Sequence, residues 1–255
     1  MTYTRHIPLQ GSFNLRDLGG YRTAKGQTAW RRYWRADSLH RLGPDAMATL
    51  VTIGCSTVID LRHDTEITAR PNPFFTGQSS VSYHHVSLFE GLDPTQPGMA
   101  DAENVLLALY CAALDKRGEQ FAQVLRLMAE APGGVLFHCT AGKDRTGMIA
   151  AFLLLLAGAS RTDIVADYVL TGDYAPAMFA ALRAEQEAKD PLKGFIDLSS
   201  PLLLSEAGTM EAFLEYLDQL YGGAEAYLLA QGLRAEEIVR LRARLLQPML
   251  AEGAA

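Results

Sequence analysis

Cysteine is scarce in this sequence, which has only three among 255 residues: Cys55, Cys111 and Cys139. An odd number cannot pair completely within one chain, and none of the three belongs to a C-x-x-C pair. The pattern gives no support for a disulfide framework or a zinc site, so we expect neither a metal nor another cofactor. Each cysteine is then either a small buried residue or a reactive thiol.

Long apolar runs are also absent. The longest one, from Met148 to Ala159, is well short of the ~20 residues that are needed to cross a bilayer. The opening stretch MTYTRHIPLQGSF lacks the apolar core of a signal peptide. We therefore expect a soluble protein that is made in the cytoplasm.

Positive charge is in deficit, since the net charge is −6. This argues against general nucleic-acid binding, and we expect no nucleic-acid partner. Residues 1–41 are an exception, because eight Arg or Lys residues and two Asp residues give that segment a charge of 8 − 2 = +6. Within it the stretch WRRYWR, from Trp30 to Arg35, allows two interpretations. It is an amphipathic strand with solvated arginines, or a positive rim that attracts an anionic substrate or a membrane surface.

Short apolar segments alternate with helical patterns along the first two thirds of the chain. We predict strands at 56–62, 81–88 and 135–139, and helices at 43–54, 100–116 and 119–131. After Ala159 the pattern is almost wholly helical, apart from an irregular stretch at 190–208. This alternation predicts an α/β fold with a central, mostly parallel sheet flanked by helices. Because no repeat or composition shift divides the chain, we predict one domain over 1–255.

The segment HCTAGKDRTG, from His138 to Gly147, follows the predicted strand 135–139 and leads into an apolar helix. Backbone N–H groups of such a turn can form an anion-binding nest, and the helix N-terminus adds positive potential. Gly142 would let the backbone approach a tetrahedral oxyanion closely. Arg145 would bind two of its oxygens through the planar guanidinium group.

Cys139 lies where these features converge. A thiol in such a field loses its proton readily, so we expect a thiolate that attacks the phosphorus of a phosphate ester and forms a phosphocysteine. Thr146 would donate its hydroxyl to the sulfur as the sulfur leaves. His138, directly before the nucleophile, would orient the loop as an accessory residue.

Two simpler interpretations explain the segment less well. A buried structural cysteine accounts for Cys139 alone and not for the residues that follow it. A nucleotide-binding loop would need Gly in place of Phe137, and Ser or Thr in place of Asp144 after Lys143.

The segment HCTAGKDRTG resembles the phosphate loop of the protein tyrosine phosphatase superfamily. It is most similar to the atypical bacterial and fungal branch, which includes secreted phosphatases of mycobacteria and Listeria. The stretches FNLRDLGGY, WRADSL and VIDLRHDTE and the C-terminal residues 221–246 also resemble that branch, so the resemblance covers almost the whole chain. It implies a phosphotyrosine-phosphatase-like fold and a phosphorylated protein or phosphoinositide as substrate. It also allows export without a classical signal peptide.

The resemblance makes Cys139 the nucleophile and Arg145 the phosphate-binding residue. The residues that would surround the phosphate are Thr140, Ala141, Gly142, Lys143, Asp144 and Arg145. The familiar superfamily carries its general acid in a Trp-Pro-Asp motif, which is missing here. The resemblance therefore makes Asp144 the candidate acid. Asp60 is the alternative, although a structural role is also open for it.

Lys143 is similar to a lysine in the loops of tumour-suppressor phosphoinositide phosphatases. As a mobile charge at the rim of the pocket, it would fit a multiply charged lipid headgroup, together with the basic N-terminal segment and a peripheral membrane contact. The alternative is that Lys143 pairs with a nearby carboxylate and only shapes the loop.

Residues 162–208 have no counterpart in a minimal phosphatase core, and the family includes members with a helical lid. We therefore expect this helical insertion to cover the site and gate an apolar pocket. The apolar residues expected on its inner face are the stretch PLLL at 201–204, Met178, Phe179 and Leu182.

Other functions remain open at this point. The stretch VIDLRHDTE also resembles the opening of a rhodanese domain, although the residues after Cys139 do not suit a sulfurtransferase loop. A module that binds phosphate groups without turnover is a second alternative. An arsenate reductase would need partner cysteines, and Cys55 and Cys111 are not placed recognisably for that role. The sequence predicts no oligomeric state.

Overall fold

The computed structural model describes residues 3–77, 79–96, 99–189 and 203–247. A five-stranded sheet lies at its centre, in the order β1-β4-β7-β5-β6. These strands are β1 (Arg16–Asp17), β4 (Tyr33–Ala36), β5 (Cys55–Asp60), β6 (Ser82–His85) and β7 (Gly134–His138). The pairs β4–β7, β7–β5 and β5–β6 are parallel, and only β1 runs antiparallel to its neighbour β4. The prediction of a mostly parallel central sheet is thus confirmed.

A second, three-stranded antiparallel sheet joins the N-terminal segment to the end of the chain. It has the order β2-β3-β8 and consists of β2 (Arg22–Thr23), β3 (Gly26–Thr28) and β8 (Leu246–Gln247). None of these short strands was predicted, because two or three residues are too few to show an alternating pattern.

Ten α-helices surround the central sheet within the described ranges. They are α1 (Pro44–Thr52), α2 (Asp64–Ala69), α3 (Val105–Lys116), α4 (Gly118–Glu130), α5 (Asp144–Ala157), α6 (Arg161–Val169), α7 (Thr171–Lys189), α8 (Ala207–Tyr221), α9 (Ala224–Ala230) and α10 (Ala235–Leu245). None of these helices is both long enough and apolar enough to cross a membrane.

The central strands are buried on both faces, which explains their continuous apolar character. All five residues of β7 are buried. Val135 and Phe137 point into the larger hydrophobic cluster, which contains α3 to α6 and α8 to α10, while Leu136 joins a smaller cluster with α1. This two-sided burial fixes the end of β7, and therefore the start of the loop that follows it.

Helix α5 is apolar on every side because it is the central helix of the larger cluster. Eleven of its 14 residues are buried, among them Met148, Phe152 and Leu154. It ends at Gly158, which adopts the left-handed conformation with φ of +80° and caps the helix. The buried helix thus gives the preceding loop a rigid support.

The stretch WRRYWR differs from the expected amphipathic strand with solvated arginines. Arg31 and Arg32 are exposed, but Arg35 is fully buried in β4, as are Tyr33 and Trp34. The physical reason is that other elements cover both faces of β4: Tyr33 packs in the larger hydrophobic cluster and Trp34 in the smaller one, and Arg35 pairs with Asp167 of α6.

The expected lid over 162–208 consists of two different parts. Helix α6 belongs to the body of the protein, since Ile164 and Tyr168 lie in the larger hydrophobic cluster. Helix α7 instead belongs to a separate apolar cluster that includes Met178 and Phe179. Residues 190–202, which include the first half of the stretch PLLL, lie outside the described residues.

Candidate active site

The segment 139–145, called the site loop here, connects the end of β7 to the start of α5. It lies at the edge of the sheet where the parallel strands β4, β5, β6 and β7 all end. Ligands of open α/β sheets bind at this carboxyl edge. The topology alone therefore makes this edge the first place to look for a site.

Consecutive carbonyl groups of the site loop point away from the hollow that the loop encloses. Each of them lies at hydrogen-bond distance from a nitrogen atom outside that hollow. The oxygen–nitrogen pairs are Cys139 with His138 Nδ1 at 3.1 Å, Thr140 with Ser38 N at 3.0 Å, Ala141 with Asn14 Nδ2 at 2.9 Å, Gly142 with Arg35 Nη2 at 2.7 Å, and Lys143 with Gly147 N at 2.6 Å.

The outward carbonyls determine the direction of the N–H groups. In a trans peptide the C=O of one residue and the N–H of the next point in opposite directions, and the described chain has no cis peptide bond. The N–H groups of residues 140–144 are therefore directed inward, at the N-terminus of α5. N–H groups arranged in this way form a nest that can bind an anion, and the helix dipole favours a negative charge there.

Gly142 is required by the geometry of the site loop. Its φ of +66° lies in the left-handed region. A Cβ atom at this position would stand 2.5 Å from the carbonyl oxygen of Ala36, at the end of β4. The loop packs directly on that backbone, so no other residue type fits here without displacing β4.

Cys139 and Arg145 lie at opposite ends of the site loop and interact electrostatically. The Cys139 side chain is buried, as expected for a residue at the end of β7. Burial alone would lower the pKa of Arg145, but Cys139 and Glu66 raise it, so the guanidinium group stays charged. The site therefore holds a permanent positive charge beside the thiol.

Glu66 is a functional residue that sequence reasoning missed. Its carboxylate accepts two hydrogen bonds from Arg145, at 2.5 Å from Nη1 and 3.1 Å from Nη2, and a further bond from the Thr140 hydroxyl. Burial by itself would raise the pKa of Glu66, but Arg145 and Thr140 lower it to about 2. Glu66 thus fixes both ends of the site loop.

The signal that would have located Glu66 is a capping box. Glu66 accepts a hydrogen bond from the backbone N–H of His63 at 2.9 Å, and the His63 side chain accepts one from Thr65 N–H. This reciprocal pattern marks the N-terminus of α2. It was overlooked because α2 has only six residues and no buried side chain.

Asp144 is the first residue of α5 and is held through one of its carboxylate oxygens. Oδ1 accepts a hydrogen bond from the Tyr110 hydroxyl at 2.5 Å and lies 3.3 Å from Lys143 Nζ. The Tyr110 hydroxyl also lies 2.9 Å from that of Tyr168. About a fifth (22%) of the Asp144 side chain is exposed. Both of these contacts of the carboxylate thus involve Oδ1.

Lys143 is almost entirely buried, with an exposed fraction of 1%. Its ammonium group donates to the carbonyl oxygen of Leu204 at 3.0 Å and pairs with Asp144. This geometry matches the interpretation of Lys143 as a residue that pairs with a carboxylate, rather than as a mobile charge at the rim. It also ties the site loop to the segment before α8.

Two buried polar atoms of the site have no hydrogen-bond partner among the residues that the structure describes. The hydroxyl of Thr146 and the Nε of Arg145 are inaccessible to solvent and form no hydrogen bond to any residue of the described ranges. The expected bond from Thr146 to the Cys139 sulfur is thus not formed in this structure. Buried polar groups of this kind usually have a partner, so their state indicates a polar ligand.

His138 and Asp60 lie behind the site loop and are fully buried. Asn72 Nδ2 lies 2.8 Å from His138 Nε2, and Asp60 binds Arg62 at 2.7 Å. Burial alone would raise the pKa of Asp60, but His138 and Arg62 lower it well below its usual value. A carboxylate that is kept ionised and enclosed in this way supports the structural role for Asp60.

A buried ion cluster supports the site loop from the other side. Arg35 donates to the carbonyl of Gly142 and forms an ion pair with Asp167 of α6. Arg16 donates to the backbone carbonyl of Asp167 at 2.9 Å, and the Tyr21 hydroxyl donates to the Asp167 carboxylate, also at 2.9 Å. Two arginines of the basic N-terminal segment, Arg16 and Arg35, are thus buried and stabilise the fold instead of facing solvent.

The apolar cluster of α7 reaches the site loop itself. Its buried members are Ala175, Met178, Phe179 and Leu182, and Phe13, Ala141 and Leu203 pack against them. Ala141 belongs to the site loop, so α7 lies beside the anion-binding nest. The inner-face role expected of Met178, Phe179 and Leu182 stays a prediction.

Comparisons with known proteins agree on one family. Residues 7–247 match the model of the tyrosine phosphatase family. A tyrosine-protein phosphatase of Nostoc commune is 35% identical over 216 residues, which cover 83% of this chain and 73% of that protein. The triple specificity protein phosphatase PtpB of Mycobacterium tuberculosis is 28% identical over 274 residues, covering 93% and 98%.

A solved structure also shows a distant likeness. The crystal structure of TpbA from P. aeruginosa covers 86% of this chain and 91% of its own, with 15% identity and a TM-score of 0.39. At that level of similarity it supports no conclusion by itself.

Proposed function

The chain belongs to the tyrosine phosphatase family, and from this premise we propose that it hydrolyses phosphate monoesters through a phosphocysteine intermediate. The observation that carries the proposal is the direction of the N–H groups of residues 140–144, which form a nest for a tetrahedral anion between Cys139 and Arg145. A phosphate ester bound there would present its phosphorus to the thiolate.

In the first step, the Cys139 thiolate attacks phosphorus and the bond to the leaving oxygen breaks. Negative charge on the three remaining oxygens is stabilised by the nest and by Arg145 Nε, which has no partner among the described residues. In the second step, water attacks the phosphocysteine and releases phosphate. The buried Thr146 hydroxyl, which also lacks a described partner, would then donate to the departing sulfur.

The leaving oxygen needs a proton, and Asp144 is our candidate for its donor. Tyr110 and Lys143 hold Oδ1, so Oδ2 is the oxygen that would carry the proton toward the leaving group. Asp60 is the weaker candidate because its carboxylate is enclosed by Arg62, Asn72 and Tyr83.

We place phosphotyrosine first among the substrates and add phosphoserine, phosphothreonine and phosphoinositides. The proposal is supported by the likeness to a phosphatase named for triple specificity. A peripheral membrane contact fits the exposed side chains of Tyr3 and Arg31, which contact each other, and of the exposed Arg32 next to them in the sequence.

We also assign a covering role to α7. The apolar contact between α7 and Ala141, together with the hydrogen bond from Lys143 to Leu204, supports a lid over the site loop. A substrate larger than free phosphate would have to displace part of this cover in order to reach Cys139.

Release of phosphate from p-nitrophenyl phosphate and from an alkyl phosphate tests the proposal. Cys139→Ser is expected to abolish turnover of both substrates, because the nucleophile is lost. Asp144→Asn is expected to lower kcat about 100-fold on the alkyl phosphate, whose leaving group needs a proton, and much less on the aryl phosphate. Activity that survives in Cys139→Ser would refute the mechanism, and equal rates in Asp144→Asn would exclude Asp144 as the acid.

A further inference from the structure

Three basic side chains converge on one carboxylate close to the site loop. Glu185 of α7 receives a hydrogen bond from His40 Nε2 at 3.0 Å, another from Arg70 Nε at 3.2 Å, and a third from Arg41 Nε. Only about a quarter (27%) of the Glu185 side chain is exposed. Residues far apart in sequence thus build one anion-binding cluster, called the basic triad here: His40, Arg41 and Arg70.

The basic triad lies at the same edge of the sheet as the site loop. His40 and Arg41 lie in a 3-10 turn shortly after β4, and Arg70 follows α2, which comes after β5. Ser38 links the two places, because its N–H donates to Thr140 of the site loop and its hydroxyl bonds His40 Nδ1 at 2.8 Å.

Helix α2 gives a second link to the site loop. Arg70 is the residue directly after α2, and its backbone N–H donates to the carbonyl oxygen of Glu66 at 3.0 Å. Glu66 binds Arg145, and Arg70 binds Glu185. One backbone hydrogen bond thus joins the residue that binds Arg145 to a member of the basic triad.

The hydrogen-bond donors of the triad are fixed by their surroundings. Arg62 donates to the Ser38 hydroxyl at 3.0 Å, so that hydroxyl directs its own proton toward His40 Nδ1. His40 Nε2 must then carry the proton and act as the donor toward the anion. Burial lowers the pKa of His40 to about 4, so the ring is neutral at pH 7 and the two arginines supply the charge.

A carboxylate does not satisfy this site completely. Both Nη atoms of Arg41 are buried and form no hydrogen bond within the described residues, although Nη1 lies 3.5 Å from Asp37 Oδ2. Glu185 offers two oxygens and one negative charge, whereas a phosphate monoester offers three terminal oxygens and about two charges. The donor set thus fits a phosphate better than the group that occupies it.

We propose that the basic triad is a second phosphate-binding site, which receives a phosphate group next to the scissile one on the same substrate and is held by Glu185 in its absence. The proposal rests on the function proposed above. It favours an inositol headgroup, because one compact ring carries two phosphates in a fixed arrangement and the two sites are linked through Ser38 and α2 at one edge of the sheet. An extended phosphopeptide would have to order several residues to span them.

Isothermal titration calorimetry on the Cys139→Ser protein tests this proposal without turnover. The probes are water-soluble, short-chain phosphatidylinositol monophosphate and bisphosphate, and the quantity measured is the ratio of their Kd values. Added to Cys139→Ser, Arg70→Gln is expected to reduce the preference for the bisphosphate about tenfold, since it removes a charge-assisted hydrogen bond. Glu185→Gln is expected to increase that preference severalfold, because a neutral amide competes less well with phosphate.

Glu187→Gln is the matched control. Glu187 lies on the same helix as Glu185. Its carboxylate pairs with Arg183 at 2.9 Å in a solvent-exposed position and not with the triad. The preference for the bisphosphate should stay as it is in Cys139→Ser alone. A preference that responds equally to Glu185→Gln and Glu187→Gln would overturn the proposal, because it would reflect only the net charge of α7.

The remaining outcomes separate the sources of phosphate. If Arg70→Gln weakens binding of inorganic phosphate and leaves the headgroup ratio unchanged, the triad binds free phosphate and the substrate assignment is wrong. If the variants change the ratio of Kd values only when doubly and singly phosphorylated peptides are compared, the ligand of the triad is a phosphopeptide and not a lipid headgroup. If no variant changes any titration, the proposal is wrong and the triad serves only to hold α7 in place through Glu185. Failure of the wild type to hydrolyse aryl phosphate would refute the proposed function alone, since these titrations measure binding.

Discussion

Glu66 shows how one side chain can hold the site loop and also contribute to stability. Its carboxylate bonds Arg145 and Thr140, and Glu66→Gln removes the charge while it keeps the size. We expect this change to lower the free energy of unfolding at pH 7 by about 1–3 kcal/mol. Burial opposes ionisation, yet Arg145 and Thr140 lower the pKa of Glu66 from 4.5 to about 2.

The sign of the pH dependence follows from that lowered pKa. Stabilisation by ionised Glu66 is complete above the unfolded-state pKa of 4.5 and is lost as the pH falls toward 2. Urea unfolding of wild type and Glu66→Gln at pH 7 and pH 3 should show a smaller difference at pH 3. Glu236→Gln, which breaks an exposed pair with Arg234, is the control. A difference that grows on acidification would contradict this account.

Tyr110 tests whether the position of Asp144 matters for proton transfer. Burial raises the pKa of Tyr110 well above its ordinary value, so its hydroxyl stays protonated and donates to Asp144. Tyr110→Phe keeps the edge-to-face packing of the ring on Phe213. We expect kcat to fall about tenfold on an alkyl phosphate and less on p-nitrophenyl phosphate, with little change in KM.

The control for Tyr110→Phe is another tyrosine that donates to an aspartate. Tyr216 donates to Asp115 on an exposed surface, at 3.0 Å. Tyr216→Phe should leave both rates unchanged. Equal losses on the two substrates in Tyr110→Phe would assign Tyr110 a purely structural role.

At the scale of single elements, the site loop depends on one glycine. Gly142→Ala combines a left-handed φ of +66° with a clash against the Ala36 carbonyl. Gly158→Ala has a similar φ of +80° at the end of α5, but open space around the added Cβ. Comparing the two variants therefore separates the effect of the left-handed backbone, which both share, from the effect of the clash, which only Gly142→Ala has.

We expect Gly158→Ala to cost about 1 kcal/mol of stability and to leave phosphate release intact. Gly142→Ala is expected to cost more, about 3 kcal/mol, and to lower kcat/KM at least 100-fold, because the loop must move away from β4. Urea unfolding and p-nitrophenyl phosphate turnover measure both effects. Equal stability and activity in the two variants would show that the loop does not need this close approach.

The elements that were predicted from the sequence are those with a long, one-sided or fully apolar pattern. The strands β5 and β7 and the helices α1 and α4 were predicted within about two residues of their observed bounds, and α3 was predicted with its correct end. Helix α2 and the short strands were missed, because they are fixed by capping and by tertiary contacts. The same limit explains why the burial of Arg35 was not predicted. No local pattern reveals that an arginine inside a strand pairs with Asp167 from α6.

The candidate site was partly predictable for a related reason. The residues from His138 to Thr146 are contiguous, so their spacing on a strand, a turn and a helix is visible in the sequence. Glu66 and Tyr110 approach the site from other elements, and only the folded structure brings them near the site loop.

Across the whole molecule, α7 is the element expected to open most readily. Its apolar cluster is small and separate from the core that contains α5. Amide hydrogen exchange should therefore be faster in α7 than in α5, and α7 should become protected when orthovanadate fills the anion-binding nest. Exchange in α7 as slow as that in α5, with no response to orthovanadate, would contradict a lid.

The most direct test of the whole account is to trap the phosphocysteine. Wild-type protein is quenched in acid during turnover of p-nitrophenyl phosphate, and the modified peptide is located by mass spectrometry. The account predicts one phosphate on Cys139, and none in Cys139→Ser treated in the same way. Phosphate attached to another residue, or turnover that persists in Cys139→Ser, would contradict it.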